Sequence, residues 1–183
     1  LGKDTQKISI PSGEKSKSIN TLNKLYGKLF SNNVDRNTVI YAFGGGVIGD
    51  LSGFAASTYM RGIDYVQVPT TLLSQIDSSV GGKTAINSPY GKNLIGAFHQ
   101  PKLVLIDINT LNSLSKKQMV SGYAEMVKYS LINDSNFFLW LEIHGKSILE
   151  KDLKKLEYAI AVCCESKAKI VAQDEKEKGL RAL

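Results

Sequence analysis

The sequence predicts an α/β fold: a Rossmann-like, mostly parallel sheet with helices over residues 1–112, followed by part of an all-helical domain over residues 113–183. Three observations carry this. Short apolar, β-branched runs alternate with helical stretches in the strand–helix–strand–helix rhythm that builds a parallel sheet covered by helices. One strand–helix junction is the glycine run Gly44-Gly45-Gly46-Val47-Ile48-Gly49. After Asn109 the strand signals stop, and apolar residues recur only at helical spacing.

In order, Lys7 to Ile10 is a short strand candidate closed by the turn Pro11-Ser12-Gly13-Glu14. Ile19, Leu22, Leu25, Tyr26, Leu29 and Phe30 predict a helix from Ser18 to Phe30, stopped at Asn32-Asn33. Thr38 to Tyr41 reads as a buried strand emptying into the glycine run. Gly44, Gly46 and Gly49 satisfy G-x-G-x-x-G in the strand-to-helix context that this fingerprint requires. Such glycines permit a tight turn and close backbone approach, and the first N–H groups of the next helix attract a phosphate. A merely tight strand–helix turn is the competing reading. The helix runs to about Met60 and consists largely of Gly, Ala and Ser, so its backbone can lie close to the sheet. Arg61-Gly62 breaks it, Tyr65 to Val68 forms a strand, and Pro69-Thr70-Thr71 leads into a helix over Leu72 to Ile76.

Asp77 to Gln100 reads as a long loop with Gly81, Gly82, Gly91, Gly96, Lys83 and Lys92. A loop of this length is functional or disordered, and its apolar residues and closely spaced glycines favour function. Leu103 to Ile106 is the last strand. Ser115-Lys116-Lys117-Gln118 is a capping box before a helix from Met119 to Ile132, ended by Asn133-Asp134. A second helix spans about Ser135 to Ile143 and stops at His144-Gly145. A third runs from about Leu149 to Glu177.

Composition narrows the function. The chain has 183 residues, 43% apolar and 22% charged, with a net charge of +6. This is ordinary for a globular protein, and no apolar run approaches the roughly 18 residues of a membrane span. The lysines divide between helix surfaces and glycine-rich loops, with no basic face interleaved with base-stacking aromatics, so nucleic acid is not an expected partner. Anionic small molecules are. The adjacent Cys163 and Cys164 make no metal or disulfide framework, which suits a reducing cytoplasm; at most one of them should face the core. The chain opens at Leu1 just before a strand and stops at Leu183 without a closing element, so it is expected to be an internal piece of something longer.

Several residues could carry chemistry. Gly82-Lys83-Thr84 resembles the tail of a phosphate-binding loop, but the glycine required five residues before Gly82 is Asp77, which excludes ATP hydrolysis by that motif. Lys83 remains an anion anchor or a solvated lysine. Asp64 lies where a dinucleotide-binding protein keeps its ribose acid, yet at a strand's start rather than its end, and reads as a surface residue. Glu125 and Lys128 share a helix face three residues apart, as an ion pair or a functional pair. Gly122 inside that helix costs about 1 kcal/mol relative to Ala, which close approach of a ligand or backbone would explain. His144 fits a helix C-terminus. A metal site of Glu125 with His99 and His144 has no supporting ligand spacing.

Four stretches together resemble one family. They are Gly44 to Phe54, the run from Pro69-Thr70-Thr71 through Asp77-Ser78-Ser79-Val80-Gly81-Gly82-Lys83-Thr84, Lys92-Asn93 through Phe98-His99-Gln100-Pro101, and Gly122-Tyr123-Ala124-Glu125-Met126-Val127-Lys128-Tyr129. They are similar to 3-dehydroquinate synthase, and the likeness extends from about Ser12 to Leu183. The resemblance implies conversion of 3-deoxy-D-arabino-heptulosonate 7-phosphate to 3-dehydroquinate and phosphate, in the shikimate route to aromatic amino acids. The implied sequence is transient oxidation by NAD, phosphate elimination, re-reduction, ring opening and intramolecular aldol closure. It also implies a divalent metal, zinc or cobalt, acting as a Lewis acid, and a homodimer with the active site between domains. Another sugar-phosphate cyclase, a metal-dependent polyol dehydrogenase and a non-catalytic NAD-binding fragment are the alternatives; Lys92-Asn93 and Phe98-His99-Gln100-Pro101 favour the dehydroquinate branch.

By the same resemblance, Ser12, Gly13, Glu14, Lys15, Ser16 and Lys17 border the adenosine half of NAD. Gly46, Val47, Ile48, Gly49 and Asp50 hold its pyrophosphate and ribose. Thr70, Thr71, Lys83, Lys92, Thr110, Leu111, Asn112 and Ser113 complete the cofactor site. Substrate falls to Arg61, Asp77, Lys83, Asn93, Lys128, Lys167 and Arg181, the basic ones answering phosphate and carboxylate, with Arg61 reaching the partner subunit's site. Glu125 matches the metal-binding glutamate. The family's two histidine ligands belong just beyond Leu183, so this chain by itself is expected to lack zinc and activity.

Overall fold

The computed structural model describes residues 5–179. Its regular elements are α1 (Ile19–Ser31), β1 (Ile40–Gly44), α2 (Gly46–Thr58), β2 (Tyr65–Pro69), β3 (Lys83–Ser88), β4 (Gly91–Phe98), β5 (Leu103–Val104), α3 (Lys116–Asn133), α4 (Ser135–Leu149) and α5 (Leu153–Gln173). Short helical turns cover Glu14–Ser16, Tyr59–Arg61, Ser74–Ser78 and Ile108–Ser113; the third is a π-type turn. No helix among the described residues is long and apolar enough to cross a membrane.

Strands β1, β2 and β5 form a parallel sheet in that order, with Ile40 opposite Tyr65 and Val66 opposite Leu103. The middle strand is the most buried, as a strand flanked on both edges and packed on its face requires. Helix α2 lies across the sheet through Leu51, Ala55 and Ala56, all fully buried. Its small residues are there for closeness: a Cβ on Gly53 would fall 2.4 Å from Thr84 Cγ2.

The stretch read as a long loop is largely a strand pair. β3 and β4 form an antiparallel hairpin with Lys83 opposite Phe98 and Ile86 opposite Ile95, and Thr84, Ala85 and Ile86 are buried. The glycines that resemble loop punctuation serve close strand approach, since a Cβ on Gly96 would stand 2.2 Å from the Thr84 carbonyl oxygen. Lys7 to Ile10, by contrast, joins no ladder among the described residues; Ile8 and Ile10 instead pack against the α1–α2 core.

Two hydrophobic clusters result. One joins α1, α2 and the sheet through Leu22, Leu25, Leu51, Phe54 and Tyr65. The other joins α3, α4 and α5 through Met119, Met126, Leu141, Ile148, Leu156 and Cys163, and reaches back to Leu72 and Ile76 beside the Ser74–Ser78 turn. Cys163 is buried and Cys164 only partly so. The capping box of α3 forms as expected at Ser115 and Gln118. Helix α4 does not stop at His144-Gly145 but continues to Leu149, and α5 is shorter than its apolar pattern suggests. Gly145 is a packing glycine: a Cβ there would meet the Tyr123 hydroxyl at 2.2 Å. His144 accordingly lies within the helix, its ring 4.6 Å from that of Trp140.

Candidate functional site

Parallel strands deliver their carboxyl ends to one edge of a sheet, where open α/β folds bind ligands. Here β1 ends at Gly44 and β2 at Pro69, paired in register. Gly44 passes into α2, and the Thr70 N–H reaches back to the Gly44 carbonyl at 2.9 Å. The first turn of α2, at Gly46 and Val47, has no intrahelical acceptors for its N–H groups. Gly44 is needed because a Cβ would strike Ile48 at 2.6 Å, and Gly49 because one would meet Gln67 Oε1 at 2.8 Å. A Cβ on Gly46 would approach Ser78 Oγ at 3.0 Å, so this cradle faces the Ser74–Ser78 turn directly. This helix start suits a phosphate group of a dinucleotide, since its N–H groups are donors and Ile48 is turned into the core.

Three residues far apart in sequence meet beside that cradle. Lys17, only 5% exposed, donates to Asp50 Oδ2 at 2.5 Å and to Asn93 Oδ1. Burial pushes the Asp50 carboxyl above its usual range, with Lys17 opposing. The Lys17 carbonyl accepts from Asn87 N–H at 2.9 Å, and Asn87 in turn holds Glu14 at 2.7 Å and the Asn93 N–H at 3.0 Å. Asn93 itself has φ of 58°. The turn carrying Ser12, Gly13 and the exposed Lys15 is closed by Ser16 Oγ donating to the Pro11 carbonyl at 2.6 Å.

On the far side, Thr71 Oγ1 and Ser74 Oγ lie 2.7 Å apart and cap the short turn. Gln75, fully buried, donates from Nε2 to the carbonyls of Pro69 and Asp107, both at 3.2 Å, and lies equally close to Thr110 Oγ1. It ties the Thr70-Thr71 segment to Thr110–Ser113, where Leu111 is fully buried and offers a ligand only its backbone. Asp77 follows, gripped by Lys167 Nζ at Oδ1 (2.5 Å) and at its carbonyl (2.6 Å), with the Tyr129 hydroxyl on Oδ1 at 3.2 Å. One turn earlier on α3, Glu125 pairs with Lys128 at 2.9 Å; the hydrogen bond to Glu125 holds the Lys128 ammonium above its ordinary range.

Lys83 is paired with Glu177, and Lys92 and Arg61 are exposed. Met60 and Arg61 follow α2 with φ of 48° and 70°. Arg181 lies outside the described residues. Asp64 is exposed, 3.5 Å from Lys102, as a surface residue should be. His99 stacks on Tyr65 and contacts the Ile63 carbonyl at 3.0 Å. Among the described residues no three His, Cys, Asp or Glu side chains stand together as metal ligands. Glu125 therefore has no co-ligands among the described residues. Sequence reasoning missed Gln75, Tyr129 and Glu177. Tyr129 carried a usable signal, four residues past Glu125 on the same helix face; the other two carried none.

The comparisons with known proteins agree with one another. The family model described as 3-dehydroquinate synthase N-terminal matches residues 7–121, and the one described as 3-dehydroquinate synthase C-terminal matches 122–183. Curated relatives named 3-dehydroquinate synthase include those of Shewanella halifaxensis, 53% identical over 96% of this chain, and Nitrosomonas europaea, 54% identical over 98%. The chain spans about half the length of these relatives, 49% of each. Among solved structures, a 2-epi-5-epi-valiolone synthase from Streptomyces hygroscopicus with NAD+ and Zn2+ bound is 32% identical with a TM-score of 0.89, over 94% of this chain and 49% of that one. A 2-deoxy-scyllo-inosose synthase complexed with carbaglucose-6-phosphate, NAD+ and Co2+ is 33% identical with a TM-score of 0.83, over 93% and 46%.

Proposed function

We infer the function from one premise: this chain belongs to the 3-dehydroquinate synthase family. The protein is proposed to convert 3-deoxy-D-arabino-heptulosonate 7-phosphate to 3-dehydroquinate and phosphate, with this chain supplying its NAD cradle and part of its substrate site. The observation that carries the reading is the closeness of the two: the start of α2 at Gly46 packs against Ser78, the residue after Asp77, so that a Cβ on Gly46 would lie 3.0 Å from Ser78 Oγ. A cofactor held there would lie against the turn that presents the carboxylate.

NAD, when bound, supplies a hydride acceptor that returns the hydride within the same turnover. The N–H groups of Gly46 and Val47 would hold its pyrophosphate, with Lys92 adding charge and the Thr70–Thr71 and Thr110–Ser113 segments flanking it. Asp77 would orient a substrate hydroxyl through Oδ2, while Lys83, Lys128, Lys167 and Arg61 answer the phosphate and carboxylate by charge-assisted contacts. Lys83 and Lys128 must first exchange their Glu177 and Glu125 partners for the ligand. Glu125 is the proposed contribution to a divalent metal site. Free cysteines fit a reducing, cytoplasmic setting, and the exposed Arg61 fits a homodimer in which it reaches the neighbouring site.

Incubating the full-length protein with NAD and the heptulosonate phosphate tests this. Phosphate release without net NADH is the expected result. Accumulating NADH would favour a polyol dehydrogenase, and a different carbocyclic product would favour another cyclase; either outcome overturns the assignment.

A further inference from the structure

We propose that Tyr129 is a positioning residue for Asp77: its hydroxyl, from α3, and the Lys167 ammonium, from α5, together hold one carboxylate oxygen so that the other is presented to the substrate. The inference rests on reading Asp77 as a substrate contact.

Asp77 sits on the short π-type turn Ser74–Ser78. Lys167 grips it twice, at Oδ1 and at the main-chain carbonyl. An ammonium is a compact charge with rotatable donors, so it anchors an oxygen without fixing the plane of the carboxylate. The Tyr129 hydroxyl supplies a second direction on the same oxygen, from a different helix. No hydrogen-bond partner among the described residues reaches Oδ2, and Asp77 is 35% exposed, so that oxygen is available. An ionised carboxylate only accepts, so the tyrosine must donate. Burial first, and then the Asp77 charge, push the Tyr129 hydroxyl well above its usual value, so it keeps its proton.

The alternative is that a mostly buried tyrosine has simply found a partner for its hydroxyl, as buried tyrosines do. A double-mutant cycle separates the two. With saturating NAD, Tyr129→Phe in the full-length protein is expected to lower kcat/KM for the heptulosonate phosphate about tenfold. In an Asp77→Ala background the same change should cost less than about twofold, because the group it positions is gone. The NAD dissociation constant should be equal in all four proteins. Equal losses in both backgrounds, or a parallel loss of NAD affinity, would overturn the inference by showing general loosening. A wild type that turns over while Tyr129→Phe matches it would overturn this inference only. An inactive wild type, or an Asp77→Ala variant with full activity, would overturn the functional reading and this inference with it.

Discussion

At the scale of single residues, Lys17 carries the most information. Lysine is almost never buried unless paired, and here it is buried between Asp50 and Asn93. Breaking one side of such a pair leaves an uncompensated buried charge, at a cost of about 3–5 kcal/mol. Lys17→Met is therefore expected to destabilise the protein by about 3 kcal/mol near neutral pH. The pH dependence has a definite sign. Asp50 already has a raised folded-state value because of burial, and losing Lys17 raises it further. A raised carboxyl contributes stability below its unfolded value and loses that contribution as pH rises through the folded one. The deficit of Lys17→Met should thus shrink at acid pH and grow towards neutrality. Urea unfolding at about pH 4.5 and pH 7.5 measures it, and a pH-independent deficit would refute the account. The sequence names all three residues as site candidates, but nothing in it says that they touch. Asp50 lies on α2, Asn93 on β4 and Lys17 just before α1, and long-range pairing leaves no periodic trace.

At the scale of elements, helix α3 shows what local sequence does reveal. The Ser115–Gln118 capping box is legible because it is made within four residues, and Ser115→Ala should cost about 1 kcal/mol in thermal or urea unfolding. Gly122 was legible as a site of close approach, but not its cause: a Cβ there would meet the Leu72 side chain at 2.6 Å, so α3 packs onto the helical start of the Ser74–Ser78 turn. Gly145 misleads more seriously, because glycine after histidine resembles a helix end. Its true constraint is Tyr123, whose hydroxyl donates to the Leu141 carbonyl at 2.9 Å. Gly145→Ala improves helix propensity by about 1 kcal/mol yet overpacks this contact by about 1–3 kcal/mol. Net destabilisation is expected, and pairing it with Tyr123→Phe should restore part of the loss. The β3–β4 hairpin was hidden for a related reason. Glycines at a tight strand crossing and glycines in a loop are the same letters, and only the neighbouring strand distinguishes them.

At the scale of the whole molecule, the strand–helix alternation and the change to helices after Asn109 were readable, since both follow from apolar spacing. The division of the core was not. Leu72 and Ile76 precede the last strand, yet they belong to the helical cluster, and Gln75 between them bonds the end of β2 to the turn before α3. The same turn carries Asp77, so the packing that joins the two clusters also places the candidate carboxylate. Ile76→Ala should cost about 2–5 kcal/mol through the cavity it leaves. It should also separate the two clusters during unfolding. Fluorescence of Trp140, packed in the helical cluster, and far-ultraviolet circular dichroism are expected to give different midpoints in the variant. Coincident midpoints would show that the clusters remain one cooperative unit.

The left-handed pair Met60-Arg61 has a consequence for how this protein could evolve. Two successive non-glycine residues with positive φ each sit in a conformation that costs an L-residue about 1 kcal/mol or more. Glycine at position 61 would relieve that strain while deleting a cation. Selection for heat tolerance alone should therefore find Arg61→Gly readily, whereas selection for the proposed activity, in cells denied the proposed product, should reject it. If both regimes accept the change equally, the arginine is ornamental; if they diverge, this tip is where the chain trades durability for chemistry.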